Sequence, residues 1–81
     1  MPKAISVRKY DYFRALLLDA RKRASLTQSD LADRLDKPQS FVSKYESGER
    51  QLDVLEFLEV AAVLDLDVAG FLKKLSRDGS A

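Results

Sequence analysis

Residues 39–44, Gln-Ser-Phe-Val-Ser-Lys, bring a carboxamide, two hydroxyls and an ammonium close together. On a helix, Lys44 lies about one turn beyond Gln39 and Ser40, so these groups share one exposed face. An amide that donates and accepts at once is the bidentate match for adenine N6 and N7, an ammonium can reach guanine O6 and N7 or a phosphate, and a hydroxyl suits a base edge or a phosphate. Phe41, beside Val42, cannot fully share its buried direction, which leaves the ring free to meet a thymine methyl. Gln39, Ser40, Phe41, Ser43 and Lys44 are therefore the candidate base-reading set. Competing chemistry is scarce, because the chain has no Cys and no His. That removes disulfides, thiolate and imidazole metal ligands, Cys nucleophiles and the usual general base. A Ser/Lys or two-carboxylate site is what remains, and scattered Ser, Lys and Asp on amphipathic helices are ordinarily solvated surface. The expectation is a binding protein without metal or cofactor, with no small-molecule ligand evident, and not an enzyme.

The scaffold for these groups is one small domain. At 81 residues, 46% hydrophobic and 33% charged, the chain is too apolar for disorder and too short to divide. Its longest apolar run, Val60 to Leu64, falls far short of the roughly 18 residues needed to cross a bilayer, so no membrane role is expected. The basic N-terminus lacks an apolar stretch of the signal-peptide kind, which points to a cytoplasmic protein. Alternating strand patterns are missing, so the chain reads as all-α.

Tyr10, Phe13, Leu17, Ala20 and Ala24 form one stripe of a first helix over about residues 10–24, its other face carrying Arg14, Arg21, Lys22 and Arg23. Thr27 and Asp30 give a capping-box-like start to a short second helix with Leu31, Ala32 and Leu35 buried. Pro38 ends that helix near Leu35 and opens a third, containing Phe41, Val42 and Tyr45, with Gly48 as its left-handed C-cap. Asp53 and Glu56 cap a fourth helix whose Leu55, Leu58, Ala61, Ala62 and Leu64 are expected to face the core. Asp67 opens a fifth, with Val68, Phe71, Leu72 and Leu75 on one stripe. Residues 1–9 read as a flexible arm, 10–75 as the domain and 76–81 as a polar tail.

Two short helices joined by about three residues make a helix-turn-helix, whose second helix lies in the DNA major groove. The run Leu26-Thr27-Gln28-Ser29-Asp30-Leu31-Ala32-Asp33-Arg34-Leu35, followed by Pro38 to Arg50, resembles the Cro/C1-type (XRE-family) DNA-binding domain, and the resemblance spans about residues 10–75. It implies a five-helix, lambda-repressor-like domain that binds a partly palindromic operator as a homodimer, similar to small phage repressors and restriction-modification controller proteins. It also implies that Gln28 grips a phosphate from the start of the second helix, and that Glu46 pairs with Arg21 of the first helix as a structural ion pair orienting the third. Asp36 departs from the family, which often has Gly there; Asp can visit the left-handed region at modest cost.

Lys37, Ser47 and Arg50 flank the third helix as candidate phosphate contacts. Residues 1–50 carry 11 Lys and Arg against 7 acids, a balance of +4, whereas residues 51–81 carry 3 against 6, a balance of −3. The first half can attract a polyanion and the second half would be held away from it. Val68, Phe71, Leu72 and Leu75 offer more apolar surface than a terminal helix needs, which makes them the expected dimer interface. The leading function is a sequence-specific double-stranded-DNA-binding regulator, a repressor or autoregulator. The alternative is a protein-interaction module of the same fold, such as an antitoxin or antiactivator subunit, favoured had the Gln39/Lys44 face been lost.

Overall fold

The computed structural model describes the backbone of residues 3–78 and the side chains of residues 8–77. It contains five helices in chain order: α1 (Lys3–Arg23), α2 (Gln28–Leu35), α3 (Gln39–Ser47), α4 (Val54–Val63) and α5 (Val68–Asp78), with no strand among the described residues.

Local sequence chemistry sets most of the boundaries. The Thr27 hydroxyl accepts from the Asp30 N–H at 3.0 Å while the Asp30 carboxylate accepts from the Thr27 N–H at 2.9 Å, closing the capping box of α2. The same reciprocal pair joins Asp53 and Glu56 at the start of α4, at 2.8 and 3.0 Å. Pro38 precedes α3 with extended backbone. The first intrahelical bond of α5, from Phe71 N–H to Asp67 O, is 2.9 Å long.

Three helices end without glycine. Ser25, Asp36 and Asp65 have φ of 61°, 59° and 55°. In each case the next N–H reaches five residues back: Leu26 to Arg21 O, Lys37 to Ala32 O, and Leu66 to Ala61 O, at 3.3, 3.0 and 2.9 Å. This is the Schellman pattern, in which a left-handed residue lets the chain turn back to satisfy the last carbonyls. Gly48, at φ 93°, ends α3. The left-handed backbone favours glycine there, and a Cβ would also press on the Arg14 guanidinium, 3.1 Å from its Cζ.

Two boundaries differ from expectation. Helix α1 starts at Lys3, within the stretch read as a flexible arm, because nothing in residues 3–9 interrupts a helix and the Lys9 ammonium donates to Ser76 O at 3.4 Å. Helix α5 continues into the expected tail as far as Asp78. Met1, Pro2 and Gly79 to Ala81 lie outside the described residues.

The core is built from Leu17, Leu31, Ala32, Phe41, Val42, Tyr45, Phe57, Val60, Leu64 and Phe71. Ala32, 1% exposed, is small where α2 and α3 meet. An aromatic cluster binds the other end: Phe13 lies 5.5 Å from Phe57 and 5.8 Å from Phe71, and Phe57 and Phe71 are 5.3 Å apart. This cluster turns α4 the other way from the expected stripe. Ala61 and Leu64 are buried as expected, but Leu55, Leu58 and Ala62 are exposed while Phe57 and Val60 point inward. Both faces of α4 are apolar, so burial goes to the face that carries the aromatic ring.

Candidate nucleic-acid interface

Helix α3 is anchored from beneath by a buried ion pair. Arg21 Nε donates to Glu46 Oε2 at 2.8 Å and its Nη2 to Oε1 at 3.0 Å, a bidentate fork, while Nη1 donates to Leu26 O at 2.9 Å. The two side chains are 11% and 6% exposed. The Glu46 carboxylate, beside it and bonded to it, raises the Arg21 pKa against the opposing effect of burial, so the guanidinium stays charged. Arg14, grouped with the surface cations in the sequence reading, instead tucks against α3, donating to Glu46 O at 3.1 Å and pairing with Asp11.

From Glu46 the polar chain continues outward. Gln28 Nε2 donates to Glu46 Oε1 at 2.8 Å, and Gln39 Nε2 donates to Gln28 Oε1 at 3.3 Å. The side chain expected to grip a phosphate and the one expected to read adenine are therefore in contact. Beyond them Ser40 and Lys44 are exposed, and Lys44 makes no ion pair among the described residues. Ser43 is half-buried and donates back to Ser40 O at 3.4 Å. Four of the five expected base-reading residues, Gln39, Ser40, Ser43 and Lys44, thus lie together on α3.

Phe41 is the fifth, and its expected role is corrected. Its ring is 8% exposed and belongs to the core, edge-on to Tyr45 at 5.7 Å. Residues 41, 42 and 45 form a single inward stripe, and the Lys37 ammonium and Arg50 guanidinium lie over the Phe41 ring at 5.2 and 4.8 Å. No face is left for a thymine methyl.

Arg50 is also reassigned. Its Nη1 and Nη2 donate to the two Glu56 carboxylate oxygens at 2.8 and 2.7 Å, its backbone N–H bonds Lys44 O at 3.2 Å, and it stacks on Phe41. These bonds to Glu56 raise its pKa. The fork and the Asp53 N–H together hold the Glu56 carboxyl down at about 2. The guanidinium thus braces the α3–α4 connection, with its side chain still 40% exposed. Ser47 is drawn into the end of α3, donating to Lys44 O at 3.1 Å and accepting from Glu49 N–H at 3.3 Å. Gln28 and Lys37 are half-buried, Gln28 between Glu46 and Gln39 and Lys37 over the Phe41 ring. The Arg50–Glu56 clamp escaped sequence reading, although a basic residue six before a capping Glu was visible.

The expected dimer stripe is split. Phe71 is a core residue at 8% exposure, and Val68 and Leu75 are half-buried against the core, leaving Leu72 exposed at 47%. Exposed apolar side chains gather instead on α4, with Val54 at 71%, Leu55 at 72% and Leu58 at 44%. Between Val54 and Leu72 lies an apolar cleft of about 420 Å³ floored by Tyr10, Phe13 and Phe57. Among the described residues no cluster of acidic groups could hold a metal, and no helix is long and apolar enough to cross a membrane.

A short helix, a tight turn and a second helix with an exposed polar face, braced by a buried ion pair, define a helix-turn-helix DNA-binding domain. A family model described as "Helix-turn-helix" matches residues 17–71. The chain is similar to a solved structure, an "XRE-family like protein from Pseudomonas syringae pv. tomato str. DC3000", at 45% identity and a TM-score of 0.88, covering 93% of this chain and 92% of that one. No curated protein matches the sequence. The chain belongs to the Cro/C1-type (XRE) helix-turn-helix family and is a DNA-binding transcription regulator of that type.

Proposed function

We propose that the protein is a homodimeric repressor or autoregulator that reads a partly palindromic operator through the major groove. The observation that carries this reading is the unburied polar face of α3, where Gln39, Ser40 and Lys44 stand clear of the core with Ser43 half-buried beside them. Occupying promoter DNA is sufficient for repression and needs no second domain, ligand or active site. Gln39 and Lys44 read bases, Ser40 and Ser43 bond a base edge or a phosphate, and Gln28 and Lys37 hold the backbone on either side. Ser47 contributes through the end of α3. A regulator of this kind works on DNA in the cytoplasm.

Dimerisation is supported by the exposed apolar side chains of Val54, Leu55, Leu58 and Leu72, a concentration that a monomer of this size has no use for. In a dimer that reads a palindrome, the two α3 helices enter major grooves about 34 Å apart.

Selection of bound fragments from random duplex DNA at about 150 mM salt tests the reading, since that condition suppresses non-specific phosphate binding. An inverted repeat with half-site centres about one helical turn apart, or a small multiple of it, is the expected result. Enrichment of no motif by folded protein would overturn it in favour of an interaction module that works on a protein partner.

A further inference from the structure

We propose that the hollow between α1 and α5, on the side of α1 away from α3, binds a nucleotide that carries two or more phosphates. The inference is independent of the reading of α3 and goes beyond DNA binding.

The cations at this hollow are more concentrated than their half of the chain would suggest. Residues 51–81 carry three basic residues against six acids, yet all three, Lys73, Lys74 and Arg77, fall on one face of α5 within five positions. Residues three and four apart on a helix are neighbours, and like charges so placed repel. Farther along the same seam, Asp19 neutralises Arg23 at 2.8 Å. Lys73 and Lys74 have no such relief: both are exposed, and neither makes an ion pair among the described residues. An arriving anion removes the repulsion, and phosphate oxygens suit ammonium and guanidinium groups alike. Three neighbouring cations call for more than one phosphate.

The shape argues for a small molecule. With Tyr12 of α1 and Gly70 of α5, the three cations line a hollow of about 380 Å³, the size of a small-ligand site and too small to admit a duplex. Gly70 adds no side chain to that lining. Tyr12 brings an aromatic ring, on which a nucleotide base can stack. The acid nearest in sequence, Asp67, lies beside Gly70 at the start of α5, which leaves the stretch from Lys73 to Arg77 for the phosphates.

The position separates this hollow from the operator. Tyr12 is turned about half a revolution around α1 from Arg14 and Arg21, which hold α3 through Glu46. Nucleotide and operator therefore meet opposite sides of α1 and do not compete for one surface.

Isothermal titration calorimetry of the full-length protein at about 150 mM salt tests the proposal, with adenosine and guanosine mono-, di- and triphosphates and inorganic triphosphate as probes. Affinity should rise with the number of phosphates. A nucleoside triphosphate should bind roughly 5- to 150-fold more tightly than inorganic triphosphate, the gain from stacking one base. The double variant K73Q/K74Q should weaken nucleotide binding by at least about 100-fold, through loss of two charge-assisted hydrogen bonds. Both lysines are exposed, so circular dichroism and melting should be unchanged, and selection from random duplexes should return the wild-type motif.

No binding of any nucleotide by folded wild-type protein would overturn the proposal. So would equal affinity for inorganic and nucleoside triphosphates, or nucleotide binding by K73Q/K74Q as tight as that of the wild type. A uniform drop in affinity of K73Q/K74Q for duplexes of every sequence, with no nucleotide bound by the wild type, would make the cluster a DNA backbone contact instead.

Discussion

Glu46 Oε1 accepts simultaneously from the Arg21 guanidinium at 3.0 Å and the Gln28 carboxamide at 2.8 Å, so one carboxylate oxygen joins the buried brace of α3 to its exposed face. Removing Arg21 would leave Glu46 as a buried charge with a single neutral partner. Arg21→Ala should cost about 3 kcal/mol, the lower end of the range for breaking a buried pair, because Gln28 remains. For a domain of this size that lowers the melting temperature by roughly 12–24 °C. Thermal unfolding followed by circular dichroism checks it, and an unchanged midpoint would rule out the brace.

Changing Gln39 and Lys44 together to Ala should behave in the opposite way. Both side chains are exposed, so helicity and melting should stay nearly constant while specific DNA binding disappears. Concurrent unfolding would mean that these residues pack rather than read.

Phe41 and Tyr45 make a contrasting pair in the same helix. Phe41→Ala should destabilise by about 3–5 kcal/mol, as expected for emptying a buried aromatic site, and any loss of DNA binding should follow the unfolded fraction. Tyr45 is 1% exposed, its hydroxyl has no hydrogen-bond partner among the described residues, and burial pushes its pKa above the usual phenol value. Tyr45→Phe should accordingly leave stability unchanged or raise it by about 1 kcal/mol. A marked loss in urea titration would reveal a partner for the hydroxyl.

Acid should loosen the α3–α4 connection. Glu56 has its pKa depressed from 4.5 to about 2 by the Arg50 fork and the Asp53 N–H, so its contribution is fully present above the unfolded value and is lost as pH falls through the folded one. Stability measured by denaturant titration should therefore decline between about pH 5 and pH 2, and less steeply in Glu56→Gln. Identical slopes for both proteins would show that the clamp does not form in solution.

Leu55→Lys and Leu58→Lys put charges on the exposed α4 face. Each should shift sedimentation toward the monomer and weaken operator binding, with the monomer's helicity preserved. A dimer unaffected by both would move the interface elsewhere on the surface.

The boundaries of α2, α3 and the start of α4 were legible because their signals are local: Thr27 with Asp30, Pro38, Gly48, and Asp53 with Glu56. The Arg21–Glu46 pair was legible only through the family resemblance, as nothing in the spacing of a cation and an acid 25 residues apart marks them as neighbours. Orientation was harder. Helix α4 offers Val54, Leu55 and Leu58 on one side and Phe57, Val60 and Leu64 on the other, and periodicity cannot rank two apolar faces. That choice is made by Phe13 and Phe71, from helices distant in sequence. Phe41 failed for a related reason, since the residues that cover its ring, Lys37 and Arg50, read as phosphate ligands when taken alone.

The left-handed turns at Ser25, Asp36 and Asp65 bear on how the chain learns where to stop coiling. None of these residues prefers that conformation as glycine does, and two of the three are followed by leucines, Leu26 and Leu66, that pack on the core. The stop is thus held by what the next side chain gains on docking rather than by the turn residue. Excised as peptides, α1 and α4 would have no such anchor and would run on or fray past Arg23 and Val63. Helix length in this domain is an outcome of assembly, acquired together with the tertiary structure rather than before it.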